Sequence, residues 1–202
     1  MSSFTPAGQG ILAAHQIEAM TAAGLIRPAQ PYAVGQVQPA SLDLRLGTRA
    51  WRMRASFLPG LGRTVAQCIE HLALHEIDLA DGAVLETDCV YVAELLESLA
   101  LPSSIAAAAN PKSSTGRIDV FTRVITDHSR EFDLIEAGYN GQLYAEISPR
   151  TFPILARTGS RLSQVRFRHG QARLDDAGHL ELHKREKLVT SAEPSIAGGV
   201  AV

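Results

Sequence analysis

Apolar positions along the chain follow two different periods. Between residues 11 and 23, Leu12, His15, Ile17 and Met20 recur at roughly helical spacing, which predicts an amphipathic helix stopped by Gly24, with Pro28 and Pro31 in the loop beyond it. At 41–46 the run Ser-Leu-Asp-Leu-Arg-Leu alternates, predicting a strand with Leu42, Leu44 and Leu46 on one face and Gly47 at its end. Pro59, Gly60 and Gly62 mark another loop. Past residue 76 the pattern becomes a succession of short strand candidates, at 77–79, 84–93, 118–126, 142–148, 152–157 and 164–167, separated by Gly, Pro, Asn and Asp. Residues 103–109, opened by Pro102, read as a short helical or irregular link. Many short strands with turn signals between them predict a β-sandwich or barrel.

Composition narrows the class. With 46% hydrophobic and 20% charged residues over 202 positions, the chain can bury a core of one sizeable domain or two small ones. Its net charge of −2 gives no broad attraction to polymeric nucleic acid or to an anionic membrane, so phosphate binding requires a local cluster of donors. The two cysteines, Cys68 and Cys89, are too few for a disulfide framework and suit a reducing cytosol. The first ten residues lack the basic and apolar regions of a signal peptide, and no stretch approaches the ~20 apolar residues of a membrane span, so a cytoplasmic protein is expected. Residues 171–187 are charged, and 188–202 are small and polar until an apolar run from 196. These features divide the chain into a domain at 1–170 and a charged linker at 171–202 that ends on the opening strand of a second domain. A flexible native tail is the alternative.

The densest chemistry lies at 110–150. Lys112, Ser113, Ser114, Thr115 and Arg117 place two cations and three hydroxyls within six residues, and Gly116 lets a ligand approach the backbone. Such a turn offers hydroxyls, backbone N–H groups and a guanidinium fork to phosphate oxygens, although it lacks Walker A spacing. Composition alone leaves a solvated polar turn equally open. Glu146 lies in the alternating stretch 143–148, where Leu143, Ala145 and Ile147 share one face and Tyr144, Glu146 and Ser148 the other. Other signals have plainer readings. Cys68, His71 and His75 stand at C-x2-H-x3-H spacing on an expected helix, but three zinc-type ligands without a fourth do not make a structural site. Trp51 beside Arg45, Arg52 and Arg54 reads as a partly buried aromatic, Asp127 and His128 as a solvated loop pair, and Asp43 as a structural carboxylate.

Lys112-Ser-Ser-Thr-Gly-Arg117 is similar to the Arg-Ser-Ser-x-x-Arg signature of dCTP deaminases. Gly138-Tyr139-Asn140-Gly141 resembles the aromatic-x-Gly turn these enzymes share with trimeric dUTPases. The early strand 41–47 and Leu101-Pro102 also fit. The resemblance spans most of 11–168, and the wording of 110–125 and 138–167 is nearest to a long bacterial form with two related domains in tandem. It implies a mainly β, distorted-barrel or jelly-roll-like fold of the dUTPase type (β-clip) with an N-terminal helix. It also implies hydrolytic deamination of dCTP to dUTP and ammonia.

In that comparison Glu146, seven residues after Tyr139, is the general base, with Ser113 and Arg117 orienting the water or stabilising charge at the ring. Lys112, Ser114 and Thr115 hold the triphosphate, and Glu136, Gly138, Tyr139 and Gly141 form the substrate turn. Lys112 stands where the family usually has arginine, which weakens a bidentate phosphate contact. Glu136 stands near the position of the water-positioning aspartate of trimeric dUTPases, so the deaminase carboxylate is kept and the hydrolase one altered. About six extra residues at 127–132 lengthen the link between Arg117 and Tyr139, either near the site or as a surface insertion.

No C-x-x-C or Pro-Cys of the zinc deaminases is present. The reading therefore takes no zinc, with Mg2+ carried by the nucleotide. The resemblance further implies a homotrimer or a tandem-domain pseudo-oligomer, with dTTP as a candidate inhibitor. The family's C-terminal closing segment is not recognisable in 171–202. Cleavage of dUTP, alone or combined with deamination, and a nucleotide-binding half-domain without turnover are the alternatives.

Overall fold

The alternation at 41–46 belongs to a strand that does not stop at Gly47. In this computed structural model, which describes residues 4, 6, 8–190, 196–197 and 200–201, that strand runs without a break from Ser41 to Met53. Gly47 is where a neighbouring backbone crosses closely: a Cβ there would stand 3.1 Å from the carbonyl oxygen of Glu94. The glycine thus admits a close approach rather than ending the element.

In chain order the first half holds β1 (Gly10–Ile11), α1 (Ala14–Ala22), β2 (Ile26–Pro28), β3 (Val37–Gln38), β4 (Ser41–Met53), α2 (Val65–Leu72), β5 (Ala73–Asp78), β6 (Ala83–Leu85) and β7 (Val90–Ala100). The second half holds β8 (Ile105–Pro111), α3 (Ser113–Arg117), β9 (Val120–Ile125), β10 (Leu134–Ile135), β11 (Asn140–Pro149), β12 (Ile154–Ala156), β13 (Arg161–His169), α4 (Asp176–Glu186), β14 (Ile196–Ala197) and β15 (Val200–Ala201). α1 confirms the N-terminal helix and buries Ile17 and Met20 completely.

One antiparallel sheet runs in the order β10-β8-β13-β4-β7-β11-β9. Residues 42–45 of β4 pair with β13, and residues 46–53 pair with β7. The two ends of the sheet meet at Asp133, which closes it into a barrel-like wall. Its N–H donates to Val124 O (2.9 Å), its side chain accepts from Val124 N (2.8 Å), and its carbonyl accepts from Ala109 N (2.8 Å). Inside lies the main core, with Leu42, Leu44, Leu46, Leu143, Ala145, Ile147 and Phe167. A second cluster packs beneath α2 on the opposite face of β4, β7 and β11 and includes Trp51, Met53, Val92, Ile125 and Tyr144.

Several local expectations are corrected. Residues 84–93 do not form one strand, because Asp88 takes a left-handed backbone (φ 57°) and a turn separates β6 from β7. The alanine-rich 103–109 stretch is largely strand β8, paired in full with β13; its two neighbours override weak intrinsic propensity. His71 and His75 are not one helical turn apart, since the backbone becomes extended at Ala73 (ψ 140°) and His75 lies on β5. The charged linker contains helix α4, capped at Asp175 by a 2.8 Å bond from Gly178 N and bearing His183, Lys184 and Arg185 in its last turn. In the apolar end run, β14 and β15 pair with each other. Residues 191–195, 198–199 and 202 of that run's surroundings, and 1–3, 5 and 7 of the N-terminal segment, lie outside the described residues. No described helix is long and apolar enough to cross a membrane.

Candidate active site

β11 sits between β7 and β9, and its alternation separates two environments. Leu143, Ala145 and Ile147 enter the main core, while Tyr144 enters the second cluster. Glu146 shares the face of Tyr144. Across the sheet it stands in a row with Trp51, Val92 and Arg123, set by the β4, β7, β11 and β9 registers.

Glu146 is 1% exposed. Its Oε1 accepts from both Nε (3.1 Å) and an Nη (2.5 Å) of Arg123. Its Oε2 is equally buried but has no hydrogen-bond partner among the described residues. A buried carboxylate oxygen without a donor is costly, so Oε2 calls for a partner that a bound water, an ion or a reacting group would supply; Asp43 Oδ1 is in the same position. Arg123 is itself held: its guanidinium carbon lies 3.4 Å from the centre of the Phe132 ring and 4.7 Å from that of Phe121, and an Nη donates to Ser56 Oγ (2.9 Å). Sequence reasoning missed Arg123. The available signal was a lone cation within the otherwise uncharged run 120–125.

The donor-rich turn is the single-turn helix α3, with Lys112 at its N-cap. Two contacts fasten it to β13: Thr115 Oγ1 donates to Leu162 O (2.9 Å), and Lys112 N donates to the same oxygen (2.9 Å). The Lys112 ammonium forms a 2.5 Å ion pair with Asp43 Oδ2, which Arg161 also approaches at 3.4 Å. The turn therefore commits the Thr115 hydroxyl to anchoring, while the Lys112 ammonium, paired with Asp43, stays partly exposed. Ser113, Ser114 and Arg117 are exposed, and no hydrogen bond engages their side chains among the described residues. Beside the turn lies a cavity of about 460 Å³ lined by Pro111, Gly116, Asp119, Val120, Phe121 and Arg150.

Phe121 connects this cavity to the Arg123–Glu146 pair. Val120 pairs with Pro149 and Arg123 with Glu146, so three steps of the ladder, roughly 10 Å, separate the ends.

The substrate turn of the resemblance is built around Tyr139. Gly138 takes φ +81°, which favours glycine. Tyr139 Oη donates to Gln142 O (2.6 Å) and accepts from Asp127 N (3.3 Å). Burial pushes the Tyr139 phenol well above its usual value. A Cβ at Gly141 would lie 2.6 Å from the Tyr139 oxygen, so this glycine makes room for the ring. Glu136 is exposed and lines a separate pocket of about 200 Å³ with Leu61, His128, Ser129, Arg130 and Leu134. The 127–132 segment lies beside the Arg123–Glu146 pair: Phe132 covers Arg123, and Asp127 Oδ1 caps α2 at Val65 N (2.7 Å).

A barrel-like antiparallel sheet with a buried carboxylate on a central strand and a donor-rich turn at its end defines a dUTPase-like β domain. The 2'-deoxycytidine 5'-triphosphate deaminase N-terminal domain family matches residues 8–171, and the chain belongs to the dCTP deaminase family. It is 31% identical over 161 residues to a protein of Methanoculleus marisnigri named dCTP deaminase, dUMP-forming, covering 78% of this chain and 79% of that one. A dCTP deaminase of Halorubrum lacusprofundi is 27% identical over 134 residues, 65% of this chain and 63% of its own. The crystal structure of 2'-deoxycytidine 5'-triphosphate deaminase from Agrobacterium tumefaciens superposes with a TM-score of 0.88 at 57% identity. That match covers 94% of this chain but 55% of the other, so the chain spans about half the length of that protein.

Proposed function

We propose that this chain forms the catalytic domain of a dCTP deaminase that converts dCTP and water to dUTP and ammonia, with Glu146 as general base. The observation that carries the reading is Glu146 itself: a carboxylate buried on a rigid strand, with one oxygen held by Arg123 and the other without a donor. Oε2 takes a proton from water while the oxygen bonds to C4 of the cytosine ring. Glu146 then returns that proton to the exocyclic nitrogen, the C4–N bond breaks, ammonia leaves, and the proton remaining on the C4 oxygen passes to N3 to give the uracil ring. Ser113 and Arg117, with their donors uncommitted, orient the water or stabilise charge at the ring.

Ser114 and Lys112 hold the triphosphate, which brings its Mg2+ with it, Lys112 sharing its charge with Asp43. Thr115 acts by fixing the turn. The turn of Gly138, Tyr139 and Gly141 shapes the base pocket, with Glu136 at its edge. Because α3 and Glu146 lie apart on one chain, the complete site is read as spanning a boundary between subunits of a homotrimer or between tandem domains. Free Cys68 and Cys89 support a cytoplasmic setting, and dTTP is the candidate inhibitor.

A second reading is favoured by the dUMP-forming relative: deamination followed by release of diphosphate. Incubation with dCTP and Mg2+, followed by chromatography of the nucleotides, separates the two. Accumulating dUTP with ammonia supports the first reading, and dUMP with diphosphate the second. Binding of dCTP without product identifies a half-domain. Near-normal turnover by Glu146→Gln overturns the assignment of the base.

A further inference from the structure

The 127–133 loop, which contains the residues 127–132 read as lengthening the link between the two signature motifs, is anchored at both ends. At its start, Asp127 Oδ1 accepts from Val65 N (2.7 Å), His128 N donates to Arg63 O (3.1 Å), and Gly60 N donates to Ser129 O (2.9 Å). At its end Asp133 is bonded to both the N–H and the carbonyl of Val124. Those bonds register Phe132 beside Arg123, the residue preceding Val124, and its ring stacks on the guanidinium at 3.4 Å. The guanidinium sends two N–H groups to one oxygen of Glu146 and none to the other.

We infer that Arg123 is a positioning residue, clamped by Phe132 of this loop, which fixes the Glu146 carboxylate so that only Oε2 faces the reacting water. The inference rests on the deaminase reading above and adds the residues that aim its base. An unheld carboxylate could rotate and present either oxygen. Two donors on Oε1 remove that freedom, and a ring stacked on the planar guanidinium holds the fork in the orientation it needs. The loop is thereby part of the catalytic apparatus without touching substrate.

The test compares kcat and KM for dCTP in the full chain with Phe132→Ala, Arg123→Lys and Arg123→Ala, each checked for folding by circular dichroism. Phe132→Ala is expected to lower kcat about tenfold with KM within about twofold, since misplacing a reacting group costs rate more than binding. Arg123→Lys keeps the charge but loses the fork and the stack, and is expected to lower kcat about 100-fold. In Arg123→Ala, millimolar guanidinium ion restores part of kcat, a readout that a purely structural role would not move. If Arg123→Ala does not fold, the other two variants carry the test. Wild-type kcat in folded Phe132→Ala, or in folded Arg123→Lys, overturns the proposal alone. Absence of dCTP turnover by the unaltered chain overturns the deaminase reading and this proposal with it.

Discussion

Asp43 and Lys112 form a 2.5 Å ion pair that fastens the N-cap of α3 to β4. Asp43 is 1% exposed, and its other oxygen has no partner among the described residues, so the contact with Lys112 and the longer one with Arg161 are what compensate a buried charge. Asp43→Asn is expected to lower stability by about 1.5–3 kcal/mol, the range for a hydrogen bond to a charged group. It should raise KM for dCTP more than it lowers kcat, because α3 is read as the phosphate-holding turn. Urea unfolding alongside steady-state kinetics checks both, and an unchanged KM would count against that reading of α3.

Asp133 closes the barrel and titrates abnormally. Burial raises its pKa above 3.8, reinforced by the charge of Glu146 and opposed by the Val124 N–H and Arg123. Over the interval from 3.8 to that raised value the folded chain holds a proton that the unfolded chain has lost, so this group's contribution to stability falls as pH rises through the interval and then levels off. Asparagine keeps the acceptor for Val124 and does not titrate. The stability of Asp133→Asn relative to wild type is therefore expected to improve from about pH 4 upward. Urea midpoints measured in steps of pH decide it; a constant difference between the two proteins would contradict the assignment.

All four tyrosines have raised pKa values. Tyr144 is pushed up to about 12, first by burial and then by the charges of Asp127 and Glu94, while Tyr32, Tyr91 and Tyr139 are raised chiefly by burial. An acid whose pKa is raised by folding stabilises the fold below its unfolded value and loses that contribution as pH climbs toward its folded one. Phenolate absorbance should therefore lag behind free tyrosine and rise steeply as the chain unfolds in alkali. A spectrophotometric titration followed in parallel by circular dichroism tests this, and ordinary titration near pH 10 in the folded protein would refute it.

Gly141→Ala should be destabilising by about 1–3 kcal/mol, the usual range for overpacking. The added methyl would meet Tyr139 Oη at 2.6 Å and Cζ at 3.0 Å, and that hydroxyl is already committed to Gln142 O. Combining it with Tyr139→Phe removes the closest clash, so the double variant should lose less than the sum of the two single losses in thermal unfolding.

The parts of this molecule that repeat locally were legible in its residues. α1, the start of β4 and the alternation of β11 each declare a period, and the faces assigned to Leu143 and Glu146 are the faces they occupy. What escaped depends on neighbours distant in sequence. β8 is a strand because β13 lies beside it, not because alanines favour one, and β4 continues through Gly47 because Glu94 needs the space. In the site, the chemistry-bearing residues were visible, but their partners were not. Nothing in the spacing joins Lys112 to Asp43, 69 positions away, or Arg123 to Glu146, 23 away. The ring that covers Arg123 sits in a loop, where a local pattern gives no hint of its target.

β4 carries Asp43, which holds α3, and eight residues later Trp51, which begins the row ending at Glu146 and Arg123. The two halves of the candidate site are thus gauged against one continuous backbone. Side chains on a strand alternate, so inserting or deleting a single residue between 43 and 51 would turn one half to the wrong side of the wall wherever the irregularity between Leu46 and Ala50 did not absorb it. Changes in chain length are therefore admitted more readily off that strand, in loops such as 127–133.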